Sequence, residues 1–118
     1  MDWMWPVFKE YVLKELDREG LPAPTDEETE IKFFETISLC SVTILVQEPW
    51  QNSVRFKTLA RLEASEATDL YANPMEWLAG RFGGGKFKLN FHQGWHFVAT
   101  QNFKPEGESR WQELPDLG

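Results

Sequence analysis

The chain is 118 residues long, the size of one domain and enough to build one buried core. Its apolar fraction of 42%, with 6 Trp and 9 Phe, excludes intrinsic disorder and predicts an aromatic-rich interior. A net charge of −7 excludes a surface that is basic all over, and no apolar run approaches the roughly 18 residues of a membrane span.

Residues 3–19 read as an amphipathic helix, with Trp5, Phe8, Val12 and Leu16 on one stripe. Pro6 suits its first turn and Gly20 its C-terminal stop. Charge within the first ten residues and the lack of a basic leader argue against a signal peptide. After a Pro-bounded connector, Thr25-Asp26-Glu27-Glu28 is a capping box. It opens a second helix over about 26–36, with Ile31 and Phe34 facing inward.

The stretch Ile37–Gln47 is rich in β-branched residues and predicts a buried strand over about 39–47, although nothing in it would stop the helix from running on. Glu48–Asn52 is a turn. Residues 53–63 alternate, with Val54, Phe56, Ala60 and Leu62 on one side and Arg55, Lys57, Arg61 and Glu63 on the other. Leu59 breaks the pattern, and two shorter strands divided at Thr58 also fit. After a polar turn or short helix at 66–70, Asn73-Pro74 starts a helix to about Arg81, with Met75, Trp77, Leu78 and Phe82 inward. The triple glycine 83–85 ends it. Residues 86–103 form a hairpin. A three-residue loop, His92-Gln93-Gly94, gathers Phe87, Leu89, Phe91, Trp95, Phe97 and Ala99 on one face, and is preferred to a Gln93-Gly94 loop on that ground.

The run Trp77-Leu78-Ala79-Gly80-Arg81-Phe82-Gly83-Gly84-Gly85-Lys86-Phe87 resembles a short ββαββ module of phage and mobile-element proteins, over residues about 43–104. The resemblance implies that core and a viral source, and no activity. The expected fold is therefore α+β: two N-terminal helices followed by a ββαββ antiparallel sheet with helices on one face. One domain spans 1–104, with a helical part at 1–36 and the ββαββ core at 39–104. An acidic, partly ordered tail anchored by Trp111 follows over 105–118.

Catalytic signals are missing. Gly80–Lys86 matches G-x-x-x-x-G-K, but Phe87 stands where a phosphate loop needs Ser or Thr, and the order is helix, loop, strand instead of strand, loop, helix. His92 and His96 are four apart across a turn, which is not helical zinc spacing. Cys40, the only cysteine, reads as a small buried hydrophobe and leaves no disulfide within the chain, so a cytoplasmic location is expected. Asp26, Glu27, Glu28 and Glu30 suit a helix N-terminus and lack a calcium-loop pattern. No catalytic residue, metal, cofactor or small-molecule substrate is assigned.

Charge is unevenly placed. Residues 1–53 hold 4 basic and 11 acidic side chains, residues 54–104 hold 7 and 4, and residues 105–118 hold 1 and 4. If the strands share a sheet, Arg55, Lys57, Arg61, Lys86, Lys88, Asn90 and His96 gather on its open face and could contact nucleic-acid phosphates. No aromatic is expected there. The opening Trp3, Met4 and Trp5 could leave an apolar patch for a protein partner or a second copy. The expectation is thus a non-enzymatic interaction protein that binds another protein or itself, with nucleic-acid binding by the sheet face as the alternative.

Overall fold

A computed structural model describes residues 2–50 and 53–105. The elements in chain order are α1 (Met4–Arg18), α2 (Asp26–Leu39), β1 (Ser41–Trp50), β2 (Ser53–Leu62), α3 (Thr68–Ala72), α4 (Pro74–Phe82), β3 (Phe87–Gln93) and β4 (His96–Phe103), with a 3₁₀ turn over Ala64–Glu66. The fold is α+β, as expected, with two N-terminal helices before the sheet and the α3–α4 pair between its two hairpins. All strand pairs are antiparallel, in the order β2-β1-β3-β4. The tail over 105–118, with Trp111, lies outside the described residues apart from Pro105, and so do Gln51 and Asn52 of the expected turn.

Local chemistry sets the helix ends. Thr25 caps α2 by accepting from the Glu28 amide at 3.2 Å, and Asn73 caps α4 by accepting from the Glu76 amide at 3.3 Å with Pro74 just inside. Gly20, at φ +81, stops α1, and the Leu21 amide reaches back to the Leu16 carbonyl at 3.2 Å. Cys40 then leaves α2 in extended conformation. The β-branched run beyond it is strand, as expected, and continues to Trp50 where a turn was placed.

The core lies between the helices and one face of the sheet. Met4, Phe8, Val12 and Leu16 of α1 are buried there with Phe33 and Ile37 of α2, and Val42, Ile44 and Val46 of β1 and Phe87, Leu89 and Phe91 of β3 close it from below. Phe8 and Phe91 meet edge to face at 5.0 Å, and Phe33 meets Trp5 at 5.4 Å in the same manner. The inward stripe of α2 is Phe33, Thr36 and Ile37, not the expected Ile31 and Phe34, which are exposed. Thr36 tolerates that burial because its hydroxyl donates to the Lys32 carbonyl at 2.8 Å. On α4 Leu78 is fully buried and Trp77 and Phe82 are half-buried, but Met75 is exposed.

Both edge strands carry a bulge, and the two have the same consequence. In β2, Ala60 faces Ile44 and Thr58 faces Leu45, so Leu59 is an extra residue. In β4, Ala99 faces Phe91 and Phe97 faces His92, so Val98 is an extra residue. Each bulge turns two successive apolar residues toward the core, Leu59 with Ala60 and Val98 with Ala99. Alternation beyond it then changes phase by one, and Val54 and Phe56 on β2 and Phe97 on β4 are turned to solvent.

The hairpin register is accordingly neither of those expected. Gln93 pairs with His96 across a two-residue turn, Gly94-Trp95. Gly94 has φ +61 at the first central position, where a II′ turn takes glycine. Trp95 is at the tip, 101% exposed. The preferred three-residue loop put Trp95 and Phe97 inside, and the bulge at Val98 removes the need for it.

Candidate functional site

The helices cover one face of the sheet, and the register shows what the other presents. From β1 come Thr43, Leu45 and Gln47, and from β3 Lys88, Asn90 and His92. Arg61, Thr58 and Phe56 of β2 stand opposite Thr43, Leu45 and Gln47. On β4, Phe97 and Thr100 stand opposite His92 and Asn90. Side-chain contacts confirm this face. The Lys88 ammonium lies 3.9 Å from the centre of the Phe56 ring, and the His92 and Phe97 rings meet edge to face at 5.7 Å. The Thr100 hydroxyl donates to Asn90 Oδ1 at 2.6 Å.

Of the seven residues expected on this face, Arg61, Lys88 and Asn90 are there. Lys86 joins them just before β3, where its carbonyl accepts from the Gln47 amide at 2.8 Å. Arg55 and Lys57 are not: they pair with Glu48 and Val46 and belong to the helix side, because the bulge at Leu59 separates their phase from that of Arg61. His96 pairs with Gln93, also on the helix side, where the Tyr11 hydroxyl donates to Gln93 Oε1 at 2.8 Å. Burial, and next the nearby Glu15, hold the Tyr11 proton above the ordinary tyrosine range. The same phase change brings in Phe56 and Phe97, rings that regular alternation puts in the core. The signal for them is a pair of adjacent apolar residues, Leu59-Ala60 or Val98-Ala99, inside an otherwise alternating strand.

The face is positive. Glu48 is the only acid within the four strands, and its pairing with Arg55 sets it on the helix side. Glu63, just past β2, stands 4.0 Å from the Arg61 guanidinium, which also donates to Ser41 Oγ at 3.3 Å. At the end of the face where the chain leaves β4, a cleft of about 360 Å³ is lined by Gln47, Phe56, Lys86, Lys88, Asn102 and Lys104, with Phe87 and Phe103 behind them. Comparison with protein-family models gives no match, and neither characterised proteins nor solved structures match the chain. The geometry alone carries the functional argument.

The expected apolar patch at the N-terminus is internal. Met4 is fully buried, and Trp3 and Trp5 are half-buried against the core. Trp3 donates its indole N–H to the Tyr71 carbonyl at 2.9 Å and packs on Phe103 at 5.1 Å. These rings pack against the core and help to close it. Cys40 is fully buried, its thiol pushed up to about 12 by burial, so it keeps its proton. Gly80–Lys86 forms the end of α4 and the turn into β3, with no helix following. Among the described residues no three His, Cys, Asp or Glu gather to hold a metal ion, and no helix is long and apolar enough to cross a membrane.

Proposed function

We propose that the protein is a non-enzymatic binding module that holds single-stranded nucleic acid on the uncovered face of its sheet. The observation that carries the reading is the mixture of rings and cations on that face: Phe56 beside Lys88, Phe97 against the His92 ring, and Arg61 and Lys86 flanking them. Single strands are held by stacking of bases on side-chain rings together with cations along the backbone path, and duplexes offer no free ring faces. Asn90 and Thr100 supply donors and acceptors between the two ring pairs. The Trp77–Phe87 resemblance adds a phage or mobile-element origin to this reading, and with it the cytoplasm of a host cell.

The test is fluorescence anisotropy with a labelled oligo-dT strand at low salt. Binding should weaken as salt rises. Replacing Phe56 or Phe97 by Ala should each cost about 1–3 kcal/mol of affinity, the worth of one stacked base. A flat anisotropy trace at about 25 mM salt, where charge is least screened, ends the reading.

A second reading rests on Trp95. A tryptophan fully in solvent at the tip of a tight hairpin, two residues from the half-exposed Phe97, has the character of an interface anchor for a protein partner or a second copy. It requires concentration-dependent sedimentation that Trp95→Ala abolishes, and monomeric sedimentation at all concentrations removes the second-copy form of it.

A further inference from the structure

The outer stripe of α2 sets apolar side chains among acids. Glu27, Ile31 and Glu35 form one row along it and Glu30, Phe34 and Ser38 the next, all of them exposed. Ile31 and Phe34 keep 53% and 48% of their surface in water. The three carboxylates beside them join no ion pair among the described residues, and Lys32, the only base of α2, is turned to Glu19. The uncovered sheet face has the inverse arrangement. There Phe56 is 42% exposed and carries the Lys88 ammonium over its ring, with Lys86 beside them. We propose that the acidic stripe of α2 in one copy of the chain docks on the Phe56–Lys88 end of the sheet face of a second copy.

Two features select a second copy as the occupant. The first is complementarity of both kinds. Ile31 and Phe34 offer an apolar patch to the Phe56 ring, and Glu27, Glu30 and Glu35 flank that patch as Lys86 and Lys88 flank the ring. The second is that the two surfaces cannot meet within one molecule. Phe33 and Ile37 hold the opposite stripe of α2 in the core, so Ile31 and Phe34 point away from the sheet, whose open face lies on the far side. Each copy therefore has an acidic and a basic docking surface on opposite layers. Such a contact is heterologous: it leaves one surface unused at each end, and copies add head to tail. It does not rest on the nucleic-acid reading, although both use Lys88 and Phe56, and it differs from the Trp95 reading in requiring α2.

The experiment is sedimentation velocity of the full chain at about 25 mM salt and at about 0.5 M, where screening is strong. Mean mass should rise with concentration past that of a dimer at low salt and return to the monomer at high salt. Ile31→Ser with Phe34→Ser removes the patch on α2, and Phe56→Ser with Lys88→Ser removes its seat on the sheet. Each variant should associate about tenfold more weakly or worse. An equimolar mixture of the two restores one contact, between the intact stripe of one variant and the intact face of the other, and should give a dimer that grows no further. Thermal midpoints near that of the wild type verify that both variants fold. Glu30→Gln with Glu35→Gln, mixed with Lys86→Gln and Lys88→Gln on a second chain, repeats the comparison through charge alone. A wild-type chain that is monomeric at every concentration overturns the proposal, and so does a mixture that stays monomeric while the wild type associates. Association that Trp95→Ala abolishes and the Phe56→Ser, Lys88→Ser variant retains belongs to the hairpin tip and also overturns it. If the mixture dimerises while oligo-dT binds no form of the chain, the nucleic-acid reading fails and the head-to-tail contact stands.

Discussion

Cys40 sits at the junction of α2 and β1 with none of its surface in water, and its thiol is pushed up to about 12. Tyr71 lies beside it, its hydroxyl 3.5 Å from the Cys40 carbonyl and its own proton held by burial above the usual tyrosine range. Both groups stay neutral in the folded chain, and both ionise in the unfolded chain, the thiol from about pH 8.5 and the phenol from about pH 10. The folded state therefore binds more protons in that window, and stability falls as pH rises. It is fully present below about pH 8.5, and the thiol alone should remove about 1–2 kcal/mol by pH 10. Denaturant midpoints measured from pH 7 to pH 10 should show this decline, and Cys40→Ala should flatten it even while lowering the midpoint at pH 7. A wild-type midpoint that holds steady over that range would mean the thiol is solvated. The same scale distinguishes two aromatic residues of one hairpin. Phe91 touches Phe8, Trp3 and Tyr71, whereas Trp95 is wholly exposed. Phe91→Ala should cost about 3–5 kcal/mol and Trp95→Ala less than about 0.5, measured by urea denaturation.

At the scale of the element, the two bulges decide what the sheet shows to water. A strand of strict period two would keep Val54 and Phe56 with Ala60, and Phe97 with Ala99. One extra residue in each edge strand inserts an additional apolar side chain into the core and sends the residues beyond it to the opposite side. Edge strands accept this because only one neighbour constrains their ladder. The consequence is testable by paired substitutions one residue apart. Val98→Ser should destabilise the fold by about 1.5–3 kcal/mol, the worth of a buried valine, and Phe97→Ser should be close to neutral. A regular hairpin predicts the reverse order. Much of the helical layer is legible in the sequence, since its stripes, caps and stops are local: Phe8, Val12 and Leu16, Thr25, Asn73 and Gly20 all do what their spacing or type indicates. The inward face of α2 is less so, because Ile31, Phe33, Phe34 and Ile37 offer two stripes of similar hydrophobicity and only the position of α1 selects between them.

At the scale of the whole molecule the charge asymmetry becomes a spatial one. The acids of α1 and α2 lie on the helical layer, and the uncovered sheet face carries Arg61, Lys86 and Lys88. A protein with a net charge of −7 can thus present a local positive field on the sheet side. The burial of α1 makes this helix part of the core that covers the sheet. Met4, Phe8, Val12 and Leu16 supply a large share of its covering layer. Deleting residues 1–20 should therefore give a chain without the cooperative thermal transition of the full protein, in calorimetry or circular dichroism. A truncated chain that melts cooperatively near the wild-type temperature would show that the sheet needs no α1.

The order and kind of the elements, the helix ends and the turn at Gly83–Gly85 follow from the sequence by itself, because each depends on residues within a few positions of one another. The strand order, the hairpin register, the burial of Trp3 and the make-up of the open face depend on contacts between residues far apart in the chain. In β2 and β4 a local pattern was compatible with either side of the sheet, and packing against β1 and β3 decided which side each ring would take. The surface on which the proposed function rests therefore arises from tertiary structure: two single-residue bulges, favoured because each buries one more apolar side chain, turn Phe56 and Phe97 outward beside the lysine and histidine of β3.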